Sequence, residues 1–568
     1  MNFRRLLIQL LITCLTVWMI PTPVWSQQGS YGKLMPIPER ISGNFGEFRS
    51  NHFHAGIDYK TMEQTGFEVY AAADGFISRV KVSHGGYGRA LYITHPELNT
   101  VTVYAHLSEF FGVLNDSIRM LQYSARSYET EIFPDSATFP VIRGQLIGYS
   151  GNAGSSEGPH LHFETRHRTS EKPFNPELAG YQIEDTIPPV VLAVVFYDPG
   201  SGSVLSTAAK QIVDLTNQPG PVYVIEDTIT VDQQFFIGFE GYDKAGTEPN
   251  RLGFRAWQLT SPGQTHFSIS IDSFAFDETR LINSMIDHQL QSDSARKIIL
   301  CFNQKGNQLS FASKESGLIS MEDGEVMPLR LLITDHSGNI TEVRMIVQCA
   351  HRKSNRFNGT KGRKISFGEE EKFKGISFEL ILKEQSLFDD GVAEVTYSDT
   401  TGLLSGILQV SPGWLTFHEP AEVAIKPYRD VVSDSGKVVM VLIGSGAEKL
   451  PLQGQFKNGY FRASTRNAGQ FILMSDTSKP QVMEPFWFSQ DIRGFRNLIV
   501  PVTDDLSGIK SVEVTIEGNW VRSEYNSRRK EVIIDERDLS GSAAGTEIGL
   551  KVTDKCNNET NSVFRLSF

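Results

Sequence analysis

The chain has 568 residues, 40% hydrophobic and 21% charged, with 49 glycines and 25 prolines. This composition can bury cores, and it excludes a disordered, collagenous or coiled-coil chain. Lys plus Arg number 54 against 66 Asp plus Glu, a net charge of −12, which excludes general nucleic-acid binding because that affinity comes from basic groups meeting phosphates.

The first residues, MNFRRLLIQLLITCLTVWMIPTPVWSQQGS, carry two arginines, an apolar run and a Pro-containing stretch ending in small or polar residues. That layout predicts a secretory signal peptide over residues 1–26, cleaved after Ser26. No later stretch approaches the ~20 apolar residues needed to cross a bilayer. The mature chain is therefore expected to be exported, in the periplasm or cell envelope, and not integral to a membrane. An uncleaved anchor and lipidation at Cys14 are the rival readings. With Cys14 gone, Cys301, Cys349 and Cys556 remain; a Cys301–Cys349 disulfide and unrelated buried thiols are both open. No paired-cysteine metal spacing occurs.

At about 150 residues per domain the remaining length predicts three or four domains. Over 27–184, short apolar strands alternate with Gly-containing turns, as in FEVYAAADGFISRVKV and TVTVYAHL, which predicts an antiparallel β domain. A segment at about 110–140 interrupts it, with helical character in LNDSIRMLQYSARSY. Beyond it, period-2 alternation in HFSISID and SVEVTIEG predicts half-buried strands of immunoglobulin-like β-sandwiches over 185–350 and 476–568. The intervening 351–475 is expected to be β-rich, with KVVMVLIG and AEVAIKPY as strands and GEEEKFKG as a solvated face or linker.

A weak internal repeat links the two outer segments. DTIPPV at Asp185 matches DTSKPQV at Asp476, EGYDKAG at Asp243 matches VTDDLSG at Asp504, and TDHSGN at Asp335 matches TDKCNN at Asp554. Structural Asx turns explain such motifs, since a short carboxylate bonds the next backbone amides; calcium binding is the sharper alternative.

Chemistry is concentrated in HFHAGID (His52 to Asp58), YAHL (Tyr104 to Leu107) and GNAGSSEGPHLHFE (Gly151 to Glu164). In an extended strand His160 and His162 project to one face, roughly 7 Å apart from a rise of ~3.3 Å per residue. His54 and Asp58 are four apart, an even separation that keeps both on one side of a strand or helical turn. Two nitrogens and one carboxylate from His54, His162 and Asp58 would make a three-ligand zinc site with its fourth position left for water. Taken singly, each histidine is better explained by a hydrogen-bonded or surface imidazole; their joint appearance in one β domain is what favours the metal site.

Together these motifs resemble the lysostaphin-like, LytM-type zinc metallopeptidases that cut peptide bonds in bacterial peptidoglycan. The match runs from about Ile41 to Pro176 and takes in FGEFR, HAGID, VYAAADGFISRV, GGYGRALYITHP, YAHL and GPHLHFE in family order. The resemblance implies one Zn²⁺ per chain held by His54, Asp58 and His162, with His106 and His160 as the catalytic pair. It also implies an exported hydrolase acting on peptidoglycan stem peptides, with an envelope protein as a candidate partner of the C-terminal domains. His52 has no carboxylate at the family spacing and is read as a surface or supporting residue; Glu164 is read either as orienting a ligand imidazole or as a packing or salt-bridge residue. Glu157, standing where Thr is common, and the 110–140 insertion bear on substrate choice. The alternatives are a catalytically silent cell-wall-binding regulator of another hydrolase, and a zinc peptidase acting on glycine-rich bridges or an exported protein. Residues 27–40 and the insertion are candidates for a segment that inhibits the resting site.

Overall fold

The computed structural model describes residues 31–566 apart from 182, 200–207, 217–219, 247–248, 351–361, 429–431, 445, 447, 541–542 and 544. The leader, its cleavage point and Cys14 lie outside the described residues. The chain is mainly β, with antiparallel pairing predominant.

The first sheet is built from β1 (Ile41–Gly43), β2 (Ile57–Lys60), β3 (Gly75–Val82), β4 (Arg89–His95), β5 (Thr100–Ala105), β6 (Thr130–Ile132) and β7 (His160–His167). They lie in the order β1-β2-β7-β5-β4-β3-β6, with two short strands paired at the margins. Register aligns His162 with Asp58 on β2 and with Ala105 on β5. Side chains opposite one another in register share a face, so alternation splits the sheet cleanly. Ile57, Tyr59, Leu91, Ile93, Tyr104, Leu161 and Phe163 form the main core on one side. Asp58, His160, His162 and Glu164 stand on the other, beside Ala90, Val103 and Ala105. Those small side chains leave room for imidazoles. Strand β5 is buried along its whole length, which is why TVTVYA reads as a nearly continuous apolar run.

The insertion holds α1 (Val113–Ala125), whose buried Leu114, Ile118 and Gln122 recur every four residues and so form one inward stripe. Its other face serves the C-terminal domain: Arg119 Nη2 and Tyr123 Oη donate to Asp538 Oδ1 at 2.6 and 2.8 Å.

After residue 189 the chain forms three successive pairs of sheets. In the first, Val194 and Phe196 of one sheet and Leu331, Ile333 and Val343 of the other share one buried core. The second and third pairs have cores of their own, around Met440 and Phe471 and around Val500 and Leu550. The alternation in HFSISID buries Phe267, Ile269 and Ile271, while GEEEKFKG supplies an edge strand with a largely exposed face. Cys301, Cys349 and Cys556 are all buried free thiols; strands that look alike in sequence need not place their sulfurs together.

Burial lifts the half-buried Asp389 carboxyl to about 6; its bond from the Asp390 amide opposes the shift, the Asp390 charge adds to it and Lys305 opposes it. The folded chain holds this proton more tightly than the unfolded one, so the stabilising contribution is complete below about pH 4 and is lost as pH rises through 6. Asp389→Asn is expected to stabilise the second sheet pair by about 1 kcal/mol at pH 8 and by almost nothing at pH 4, read as the shift in its thermal transition at the two pH values.

Candidate metal centre

His54 lies in the turn entering β2, Asp58 on β2 and His162 on β7. All three are at least nine-tenths buried. Their donor atoms form a near-equilateral triangle: His54 Nε2 to His162 Nδ1 is 3.0 Å, His54 Nε2 to Asp58 Oδ1 is 3.1 Å and His162 Nδ1 to Asp58 Oδ1 is 2.8 Å. Tetrahedral zinc with bonds of about 2.0–2.1 Å has ligand–ligand edges of roughly 3.3 Å. The triangle is a slightly contracted version of that face.

The far side of each ring decides which atom points inward. His54 Nδ1 faces the Asn44 carbonyl at 2.8 Å, and His162 Nε2 faces Glu164 Oε1 at 2.8 Å. Each of those partners accepts a proton only, so each ring carries a hydrogen there and leaves its other nitrogen, facing Asp58, to a metal ion or to a second proton. Two lone pairs and a carboxylate oxygen converging on one point repel unless a positive charge sits among them. The donor set therefore fits a divalent cation.

The surrounding charges agree. Burial holds His54 down to about 4, although Asp58 pulls the other way. Burial also pulls on His162, but its bonds to Asp58 and Glu164 outweigh it and carry that ring up to about 9. The carboxylates stay ionised despite burial, which pushes both upward: His54 and His160 hold Asp58 well below the usual range, and Arg166 with His162 holds Glu164 near 2. The pocket favours positive charge at the triangle, and a metal and a proton compete for His162 Nδ1.

Two further rings stand over this triangle. His106 and His160 have ring centroids 4.7 Å apart, and His160 Nε2 is 3.5 Å from Asp58 Oδ1. His106 Nδ1 lies 2.8 Å from the Ala153 carbonyl, and His160 Nδ1 lies 2.8 Å from that of Gly158. Both rings thus keep a hydrogen on Nδ1, which leaves His106 Nε2 as an acceptor, while His160 Nε2 faces the Asp58 carboxylate. His106 has φ 59°, the left-handed region that residues other than glycine seldom occupy. Its amide bond to Tyr87 O at 2.9 Å holds it there. Burial, with the charges of His160 and His162, holds His106 neutral down to about 3. The structure brings together all five residues singled out in the sequence, while His52 is exposed at the rim.

Several supporting residues were not legible. Arg49 Nη2 donates to Asp58 Oδ2 at 2.5 Å, which ties down one carboxylate oxygen and turns the other to the triangle. Arg166 Nε donates to Glu164 Oε2 at 2.7 Å, and the Tyr87 hydroxyl donates to Glu164 Oε1. FGEFR and GGYG contain Arg49 and Tyr87, yet nothing in their spacing says which carboxylate they meet.

The triangle opens into a cleft of about 1570 Å³, walled also by Phe276 and His288 of the first sheet pair, Trp414 and Asn467 of the second, and Arg528 of the third. The loop beside it is clamped from the C-terminal domain. Glu524 Oε1 accepts from Gly154 N at 3.2 Å, Glu524 Oε2 accepts from Tyr128 Oη at 2.6 Å, and Asn526 Nδ2 donates to Gly154 O at 3.0 Å. Arg528 pairs with Glu157 at the surface.

Residues 52–128 match peptidase family M23. The N-terminal domain is a LytM-type metallopeptidase domain. Residues 363–476 match a Zu5-like domain. The chain is 33% identical over 159 residues to DD-carboxypeptidase/endopeptidase Mpg of Neisseria meningitidis serogroup B, an alignment covering 27% of this chain and 30% of that protein. It is 31% identical over 111 residues to an uncharacterized metalloprotease of Haemophilus influenzae, covering 20% of this chain and 18% of that one. The chain thus spans less than a third of the length of these curated relatives. The catalytic domain of lysostaphin from Staphylococcus simulans is 23% identical, with 25% of this chain and 92% of that chain covered and a TM-score of 0.19. For the catalytic domain of the prophage-encoded M23 protein EnpA from Enterococcus faecalis the figures are 24%, 26%, 95% and 0.20.

In this M23 domain Glu164 and Arg49 each fix one side of a metal-facing residue. Glu164→Gln is expected to weaken zinc affinity about 10–100-fold without unfolding the domain, as measured by competition with a chromophoric chelator; an unchanged affinity would remove Glu164 from the supporting role.

Proposed function

We propose that the chain is an exported, zinc-dependent endopeptidase that hydrolyses peptide cross-links of bacterial peptidoglycan, with three two-sheet β-sandwich domains following its M23 domain. The carrying observation is the donor triangle of His54, Asp58 and His162 with the imidazoles of His106 and His160 beside it and an open cleft above. The name of the Neisseria relative, a DD-carboxypeptidase/endopeptidase, supports the substrate class. The M23 family assignment and the donor set support one zinc ion.

His54, Asp58 and His162 would hold that ion. Bound there, zinc supplies Lewis acidity, polarising a scissile carbonyl and making attacking water more acidic. His106 and His160 do the proton work. An Nε2 acceptor takes the proton of the attacking water, and the imidazolium so formed passes it to the leaving amine. The second ring, when it carries a proton on Nε2, steadies the developing oxyanion. Presence of both rings favours catalysis over a silent wall-binding role, for which neither is needed.

His106→Ala and His160→Ala are each expected to retain about one zinc and to lower muropeptide release by roughly 10²–10⁴-fold. Sacculi digested by wild type, with the new amines identified by mass, test the reading. Stoichiometric zinc with no release from directly cross-linked or glycine-bridged walls would overturn it.

A further inference from the structure

Outside the M23 domain, two groups of acidic side chains converge from loops far apart in sequence. Asp185, Asp243 and Asp335 each place a carboxylate oxygen within 4.8 Å of the others, and so do Asp476, Asp504 and Asp554. These are the six aspartates of the internal repeat, so the same construction occurs twice. Asp335 accepts from the Asn339 amide and side chain, both at 2.8 Å; Asp554 accepts from the Asn558 amide at 2.8 Å and its side chain at 2.7 Å. Asn339 Nδ2 donates on to the Asp185 carbonyl and Asn558 Nδ2 to the Asp476 carbonyl, both at 3.2 Å.

Acidic turns of this kind are common without a ligand, and what sets these apart is an unmet demand at their centre. Asp243 is 2% exposed, yet its Oδ1 is buried without any hydrogen-bond partner. The equivalent Asp504 has its Oδ2 satisfied by the Leu506 and Gly508 amides at 3.2 and 2.7 Å, and again its buried Oδ1 has no partner. A buried carboxylate oxygen left unpaired is costly, and finding it at the same place in both repeats argues that the cluster is built around something. No Lys or Arg side chain forms an ion pair with any of the six aspartates among the described residues. At the first cluster the nearby Arg255 is taken by Asp272 at 2.9 Å. At the second, Lys437 Nζ is bound to Asn558 Oδ1 at 2.5 Å and to the Cys556 carbonyl at 2.9 Å.

We propose that each aspartate triad, Asp185, Asp243 and Asp335 in the first and Asp476, Asp504 and Asp554 in the second, is a site for a hard divalent cation, calcium. All three donors of each triad are carboxylate oxygens, and no sulfur or imidazole belongs to either. Calcium takes six to eight oxygens in irregular geometry, whereas magnesium demands a tight octahedron and zinc favours nitrogen and sulfur. Each site would also fix a junction. Asp185 opens the segment leaving the M23 domain, and Asp476 opens the segment leaving the Zu5-like region.

Equilibrium dialysis of the full-length, zinc-loaded chain against millimolar free calcium, with bound metal counted by atomic emission, tests this. Wild type is expected to retain two calcium ions per chain, Asp243→Asn one, Asp504→Asn one, and the double variant none. His162→Ala should leave the calcium count at two, which separates these sites from the M23 triangle. Calcium should raise the thermal midpoint of wild type more than equal magnesium does, and leave the double variant unmoved. Should Asp243→Asn fail to fold, the less buried Asp185→Asn takes its place. No retained calcium in wild type, or a count unchanged in the double variant, overturns the proposal.

Discussion

His162→Ala is expected to bring zinc content from about one per chain to near zero and cross-link hydrolysis to background. Removing a supporting residue costs roughly 10–100-fold in metal affinity; removing one of only three protein donors should cost far more. The fold should survive, because the charges that His162 leaves behind keep partners. Glu164 retains Arg166 at 2.7 Å and Tyr87, and Asp58 retains Arg49 at 2.5 Å and His54 at 3.1 Å. Circular dichroism should therefore match wild type while atomic emission and muropeptide release do not. Chelation of wild-type protein should reproduce the loss, and stoichiometric zinc should restore it in wild type but not in the variant. A variant that keeps its zinc, or cleaves without it, would remove His162 from the ligand set and with it the proposed mechanism.

The shared facing of His160, His162 and Glu164 was legible because strand alternation makes it a matter of counting, and the structure puts all three on one side of β7. The helix of the insertion followed from composition, while its inward stripe of Leu114, Ile118 and Gln122 emerged only in the structure. What counting cannot reach is pairing between distant segments. Arg49 meets Asp58 because the short strand Phe48–Arg49 pairs with His52–Phe53, and Glu524 meets Gly154 across 370 residues of chain. A cysteine pair in two plausible strands stayed apart for the same reason. The aspartate repeat lay between these cases: the motifs were visible, but their convergence from three loops depends on sheet packing that no local pattern encodes.

Gly56→Ala is expected to destabilise the M23 domain by about 3 kcal/mol or more and to abolish activity with all five histidine and aspartate side chains still present. Gly56 sits between His54 and Asp58 in HAGID, where β2 begins to pair with β7. A Cβ added there would lie 2.1 Å from the Phe163 carbonyl oxygen and 2.8 Å from Glu164 Cγ. The first contact is with backbone inside a paired strand, so no side-chain rotation relieves it. The two strands must move apart, and overpacking of a well-filled interior costs about 1–3 kcal/mol even where side chains can shift. The displacement acts on the donor triangle directly, since His54 and Asp58 are carried on one side of the clash and His162 and Glu164 on the other. The expected signature is a lowered thermal midpoint together with weaker zinc binding. Gly158→Ala, with open space around its added carbon, should leave both nearly unchanged. If Gly56→Ala bound zinc as wild type does, the closeness of β2 and β7 at this point would not be what sets the ligand spacing.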